Sequence, residues 1–217
     1  MNFITNKYKL ALLAFMLLSI PSWAQQTNFF TPSPKLKALL ASNPPARTAL
    51  SNACASAFSG KTVGLYYFYD DTDATRKTYH FYPNTIGEAA VVICIRENQE
   101  PWDELIGLLF ELLNSKSENH YWDLFEKARA GTIARDEFAM AMLRFEFEGA
   151  KATRDLVRDF HLTKKESQKS HEYGLFLNCP NDFEGFLAYT QKVSAGHDPI
   201  KEYEAQYDAL RKAVSGG

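Results

Sequence analysis

The sequence predicts an α+β fold, a small antiparallel three-stranded sheet packed with about six helices, on two observations. Three short segments rich in aromatic and β-branched residues, "TVGLYYFY", "KTYHFY" and "EAAVVICI", follow one another between Thr62 and Ile95. From Trp102 onward the apolar period lengthens from two residues to about 3.6 and stays helical almost to the end of the chain.

The elements follow in order. Residues 1–24 read as a secretory signal peptide: Lys7 and Lys9 precede an apolar run from Leu10 to Ile20, and Ser22 and Ala24 flank Trp23. The apolar run is too short for a spanning helix, so no membrane insertion is expected once the signal is cleaved. Gln25 rather than cysteine follows the expected cut, which excludes lipid attachment there. The expected location is periplasmic or extracellular. Removing 24 of 217 residues leaves 193, enough for one domain over 25–217.

"KLKALLA" and "PARTALSNACASAF" read as two helices broken at Asn43-Pro44-Pro45, because proline disfavours helix in the residue before it. The first two strand segments, joined by "DDTDATR", read as a hairpin, and the third strand follows the turn around Pro83 and Asn84. Helices are expected over Trp102 to Ser115, Glu118 to Ala130, Arg135 to Phe160, Asn181 to Val193 and Pro199 to Val214; "LTKKESQKSHE" reads as a polar, mobile loop. The last helix sets Ile200, Tyr203, Tyr207 and Leu210 on one stripe, as packing requires.

Charge and motifs narrow the function. The formal charge is −2, and loss of Lys7 and Lys9 with the signal takes it to −4. Nothing resembles a nucleic-acid footprint. There is no Gly-rich phosphate cradle and no nucleophile elbow. Cys54, Cys94 and Cys179 allow one bridge at most; Cys54 with Cys179 is preferred and Cys54 with Cys94 is the alternative. Asp70, Asp71 and Asp73 lack the glycine and closing glutamate of a calcium loop.

The unusual stretch is "FELLN", residues 110–114, inside "PWDELIGLLFELLNSK". On a helix Glu104, Gly107, Glu111 and Asn114 form one stripe, since steps of 3, 4 and 3 stay on one face. That stripe is either the solvent edge of a buried helix or a polar site. A second glutamate, Glu146, has Met142, Leu143, Gly149 and Ala150 as helical neighbours and so points to an apolar, small-residue face. It needs a partner there, for which Arg144, Arg154, Asn114 or a protonated Glu111 are candidates.

The order of strand hairpin, edge-like strand, apolar helix with a central glutamate, and later helix with an inward glutamate resembles the core of the zincin metallopeptidases, over about residues 61–150. That family carries HExxH, two histidines on zinc with a glutamate activating water between them, and in one subgroup a later glutamate as third ligand. The motif falls on Phe110, Glu111, Leu112, Leu113 and Asn114, and the third ligand on Glu146. Only the glutamates survive, so the resemblance implies a zincin-like core without zinc and with no cofactor, followed by the C-terminal helices that the periodicity places at 181–214.

The resulting expectation is a non-catalytic protein that binds a protein partner in the cell envelope, as an immunity or inhibitor protein does. The alternative is a metal-independent envelope hydrolase using Glu111 and Glu146 as acid and base. A third reading has Glu111 and Glu146, with His120 or Asn114, hold a hard cation. Asn114, Glu104 and His120 are the further site candidates beside the glutamates. Tyr67 and Tyr79, on the aromatic hairpin, are candidates for partner contact.

Overall fold

The computed structural model describes residues 32–57, 62–68, 78–81, 90–96, 98–193 and 198–215. The expected signal peptide, the "DDTDATR" loop and the turn at Pro83 lie outside them. Among the described residues there are nine α-helices: α1 (Pro34–Ser42), α2 (Pro44–Ala57), α3 (Pro101–Asn114), α4 (Glu118–Ala130), α5 (Arg135–Val157), α6 (Lys164–Lys169), α7 (His171–Leu177), α8 (Phe183–Val193) and α9 (Pro199–Ser215). Short 3-10 turns at Ser115–Ser117 and Arg158–Phe160 continue α3 and α5. No described helix is long and apolar enough to cross a membrane.

The expected α+β fold with an antiparallel sheet is overturned, because the described chain is predominantly helical. The strands, β1 (Thr62–Phe68), β2 (Thr78–Phe81) and β3 (Ala90–Arg96), do not run as an antiparallel meander. Their order is β1-β3-β2, with β1 parallel to β3 and β2 antiparallel to it. The hairpin between the first two segments therefore does not exist as a pair. The physical reason lies in β3: "AVVICI" is apolar without alternation, which suits a central strand, and Ile93 and Ile95 are fully buried. The strand that the zincin resemblance sets at an edge is thus the middle one.

The segment "LTKKESQKSHE", expected to be a loop, is largely helical. Thr163 and Glu166 form a capping box, each side chain satisfying the other's backbone N–H, and α6 starts on it. Ser170 then caps α7 by accepting from the backbone N–H of Tyr173. Asp103 of α3 fixes this cap from outside, accepting from the Ser170 hydroxyl at 2.6 Å and the Glu172 backbone N–H at 3.0 Å. The expected breaks elsewhere hold: Asn43 separates α1 from α2, with Pro44 in the first turn, where its missing N–H is harmless.

Helix α3 is the axis of the fold. Eleven of its fourteen residues are buried, among them the polar Asp103, Glu104, Glu111 and Asn114. It packs against α1, α2, β2, β3, α5 and α7. Two apolar clusters result. The larger joins α1, α2, β3, α3, the C-terminal half of α5, α7 and α8. The smaller gathers Tyr121, Leu124, Ala128, Phe138 and Met142 from α4 and α5, with Tyr203, Tyr207 and Leu210 of α9 laid over it.

Candidate functional site

The stripe on α3 is not a solvent edge. Glu104 is 3%, Glu111 6% and Asn114 2% exposed, and Gly107 is buried between them. The stripe nevertheless splits into two unrelated ends. Glu104 accepts from the backbone N–H and the hydroxyl of Ser33, the residue that caps α1. It anchors the start of the described chain.

The other end meets α5. The Asn114 amide donates to Glu146 Oε2 at 3.4 Å. The hydroxyl of Tyr203, on α9, donates to Glu146 Oε1 at 2.6 Å. Both carboxylate oxygens of Glu146 thus already accept a hydrogen bond. The Asn114 side chain fills the space over Gly149 of α5: a Cβ there would lie 1.7 Å from Asn114 Oδ1. That oxygen is buried and finds no hydrogen-bond partner among the described residues.

The Tyr203 phenol is held well above its ordinary pKa of 10.0, first by burial, then by the negative charge of Glu146 and, more weakly, of Glu111. Asn114, Glu146 and Tyr203 are thus joined by hydrogen bonds into one polar cluster. It sits at the seam between the two apolar clusters, since Glu146 is flanked by Phe145 on the smaller side and Phe147 on the larger.

Among the partners expected for Glu146, Asn114 is found, donating to Oε2. Arg144 is exposed, with its guanidinium 4.3 Å from the Phe183 ring centre. Arg154 is buried but donates to the carbonyl oxygens of Cys179 and Pro180, closing the turn between α7 and α8. Tyr203 was missed because its stripe reads as packing. The available signal was chemical: a tyrosine on an apolar stripe carries a hydroxyl that needs a partner once buried.

The remaining candidates lie elsewhere. His120 is exposed on α4, its ring 5.9 Å from that of Phe145. Phe110, at the first ligand position of the resembled motif, packs its ring 5.0 Å from Phe176. Tyr67 pairs through its backbone with Ile95 and Tyr79 with Cys94, so the two tyrosines are on strands separated by β3 rather than on a paired hairpin; their side chains lie outside the described residues. Cys54 and Cys179 are both free, so the preferred bridge is absent and Cys54 forms neither expected pair.

Among the described residues no three His, Cys, Asp or Glu side chains gather closely enough to hold a metal ion. A cleft of about 530 Å³ between α1, the start of α3 and α6, lined in part by Lys35, Trp102 and Lys169, is separate from the Glu146 cluster and shares no lining residue with it. No family model, no curated protein and no solved structure matches this chain.

Proposed function

We propose that the chain is a zincin-like, non-catalytic domain of the periplasm or cell exterior that acts by binding a protein partner in the cell envelope, in the manner of an immunity or inhibitor protein. The observation that carries the reading is the use made of the three ligand positions. Phe110 serves packing against Phe176. Asn114 and Glu146 bind one another rather than facing an open site. Phenyl offers a metal no electron pair, and a carboxamide is a poor replacement for imidazole on zinc.

The acid–base alternative has less support. A glycan must reach both carboxyls, yet Glu111 is 6% exposed and Glu146 is committed at both oxygens. The cation reading lacks a third carboxylate or imidazole at the cluster.

The test is cross-linking of the tagged full chain in its own host, followed by reconstitution of any recovered protein with the purified chain. A single protein that rebinds in a fixed ratio supports the proposal. Recovery of nothing above a tagged, exported control contradicts it.

A further inference from the structure

Helix α9 differs from every helix in the larger core. None of its described side chains is fully buried, although it is seventeen residues long. Its principal packing is on α4 and α5. The residues it covers are the reverse: Phe138 is 0%, Ala128 0%, Tyr121 3% and Met142 3% exposed, a fully formed apolar face with Glu146 at its border.

The ties that hold α9 are polar and mostly peripheral. Arg135, at the start of α5, makes a two-pronged contact with Asp208, its Nε 3.0 Å and Nη2 2.9 Å from the carboxylate oxygens, and reaches Glu204 at 3.0 Å. Tyr207 donates to the Ile133 carbonyl at 3.0 Å, and Arg211 to that of Arg129 at 2.6 Å. Exposed ion pairs of this kind hold little energy. Apart from the Tyr203–Glu146 hydrogen bond, α9 is held by half-buried side chains and exposed polar ties, and such a segment belongs to the end of a fold that opens locally before the rest.

We infer that α9 is a displaceable strap, and that the α4/α5 face beneath it is the docking site for an amphipathic helix of the partner. The inference rests on the partner-binding reading above. The strap itself defines what fits: an aromatic, an aromatic and a leucine at i, i+4 and i+7, matching Tyr203, Tyr207 and Leu210, with an acidic residue directly after the second aromatic to meet Arg135 as Asp208 does. The first aromatic has a further requirement, a hydroxyl that can replace that of Tyr203 on Glu146.

The test uses the full chain and a fluorescent peptide of the strap sequence, PIKEYEAQYDALRKAVS. In a chain carrying Tyr203→Ala and Asp208→Ala the docking face is intact and the strap is weakened. That chain is expected to bind the peptide at least about tenfold more tightly than the wild type. A peptide with serine at the positions of Tyr203, Tyr207 and Leu210 is expected not to bind. Equal peptide binding by wild type and folded variant overturns the strap. If the double variant does not fold, Asp208→Ala alone carries the same comparison, with a smaller gain expected.

Hydrogen exchange on the wild type gives a second reading. Amides of α9 exchanging well before those of α3 support the strap, and exchange only on global unfolding overturns it. Failure of this inference and failure of the proposed function are separable. A recovered partner that the peptide does not compete away keeps the function and overturns the docking site. Peptide capture with no recovered partner supports the strap and removes the partner-binding function.

Discussion

Tyr203 and Glu146, 57 residues apart in sequence, are joined by a hydrogen bond of 2.6 Å that ties the last helix to the longest one. A hydrogen bond to a charged group contributes about 1.5–3 kcal/mol. Tyr203→Phe removes only the hydroxyl, and an unfolding titration in urea should show a loss in that range. In Glu146→Gln the same substitution should cost less, and a double-mutant cycle measures the coupling. Additive effects would show that the contact is energetically idle.

The same pair sets an alkaline limit. The Tyr203 phenol is raised in the folded state above its ordinary value of 10.0, chiefly by burial and then by Glu146. The folded chain therefore keeps a proton that the unfolded chain gives up above about pH 10. Its contribution is complete below pH 10 and is lost as the pH rises from there through the higher folded value. Wild type should lose stability faster than Tyr203→Phe across this window, and parallel curves would contradict the assignment.

Gly149 and Asn114 make a second coupled pair. An alanine Cβ at 149 would sit 1.7 Å from Asn114 Oδ1, and Asn114, at 2% exposure, has no room to swing away. Gly149→Ala should destabilise by about 3 kcal/mol through overpacking. Asn114→Ala should recover much of that loss in the double variant, because the obstructing amide is gone. No recovery would place the obstruction elsewhere.

At the other end of α3 the indole N–H of Trp102 donates to Glu166 at 3.0 Å, and Glu166 also closes the capping box with Thr163. Hydrogen bonds from Thr163 and then Trp102 lower the Glu166 pKa below its ordinary 4.5. Thr163→Ala should cost about 1 kcal/mol. The carboxylate's share of stability is present above pH 4.5 and falls away as the pH drops through the lower folded value. Wild type and Glu166→Gln should therefore converge in stability in acid; a gap that persists there would contradict the hydrogen-bond account.

Burial pushes the Cys54 thiol up to about 11 and raises Cys179 as well. The thiolate is the reactive form, so iodoacetamide mapped by mass spectrometry should label both positions slowly in the native chain and rapidly in denaturant. A Cys54–Cys179 cross-linked peptide in the protein isolated without reductant would contradict the free thiols found here.

Much of the helical frame was legible in the sequence because its signals are local. Asn43 and Pro44 mark the first break, and Gly131, at φ 72°, ends α4 where the periodic run stops. The inward bearing of Glu146 was legible from Gly149 and Ala150, which share its face. The sheet was not, because strand order depends on which segment is most apolar overall, and β3 took the centre between two neighbours that look like a hairpin. Nor was the α6–α7 region, where the lysines hid the Thr163/Glu166 box. Tyr203 escaped for a related reason. A stripe shows which residues face inward and says nothing of which polar atom lies opposite.

The most direct measurement restores what the zincin-like reading says is missing. A chain carrying Phe110→His and Asn114→His presents two imidazoles one helical turn apart, with Glu146 on the facing helix as third ligand. Zinc binding by the purified, folded variant, followed by calorimetry and metal analysis, should reach one ion per chain and should weaken sharply when Glu146→Gln is added. A folded variant that takes up no zinc, or binds it equally well without the Glu146 carboxylate, would contradict the zincin-like reading of α3 and α5.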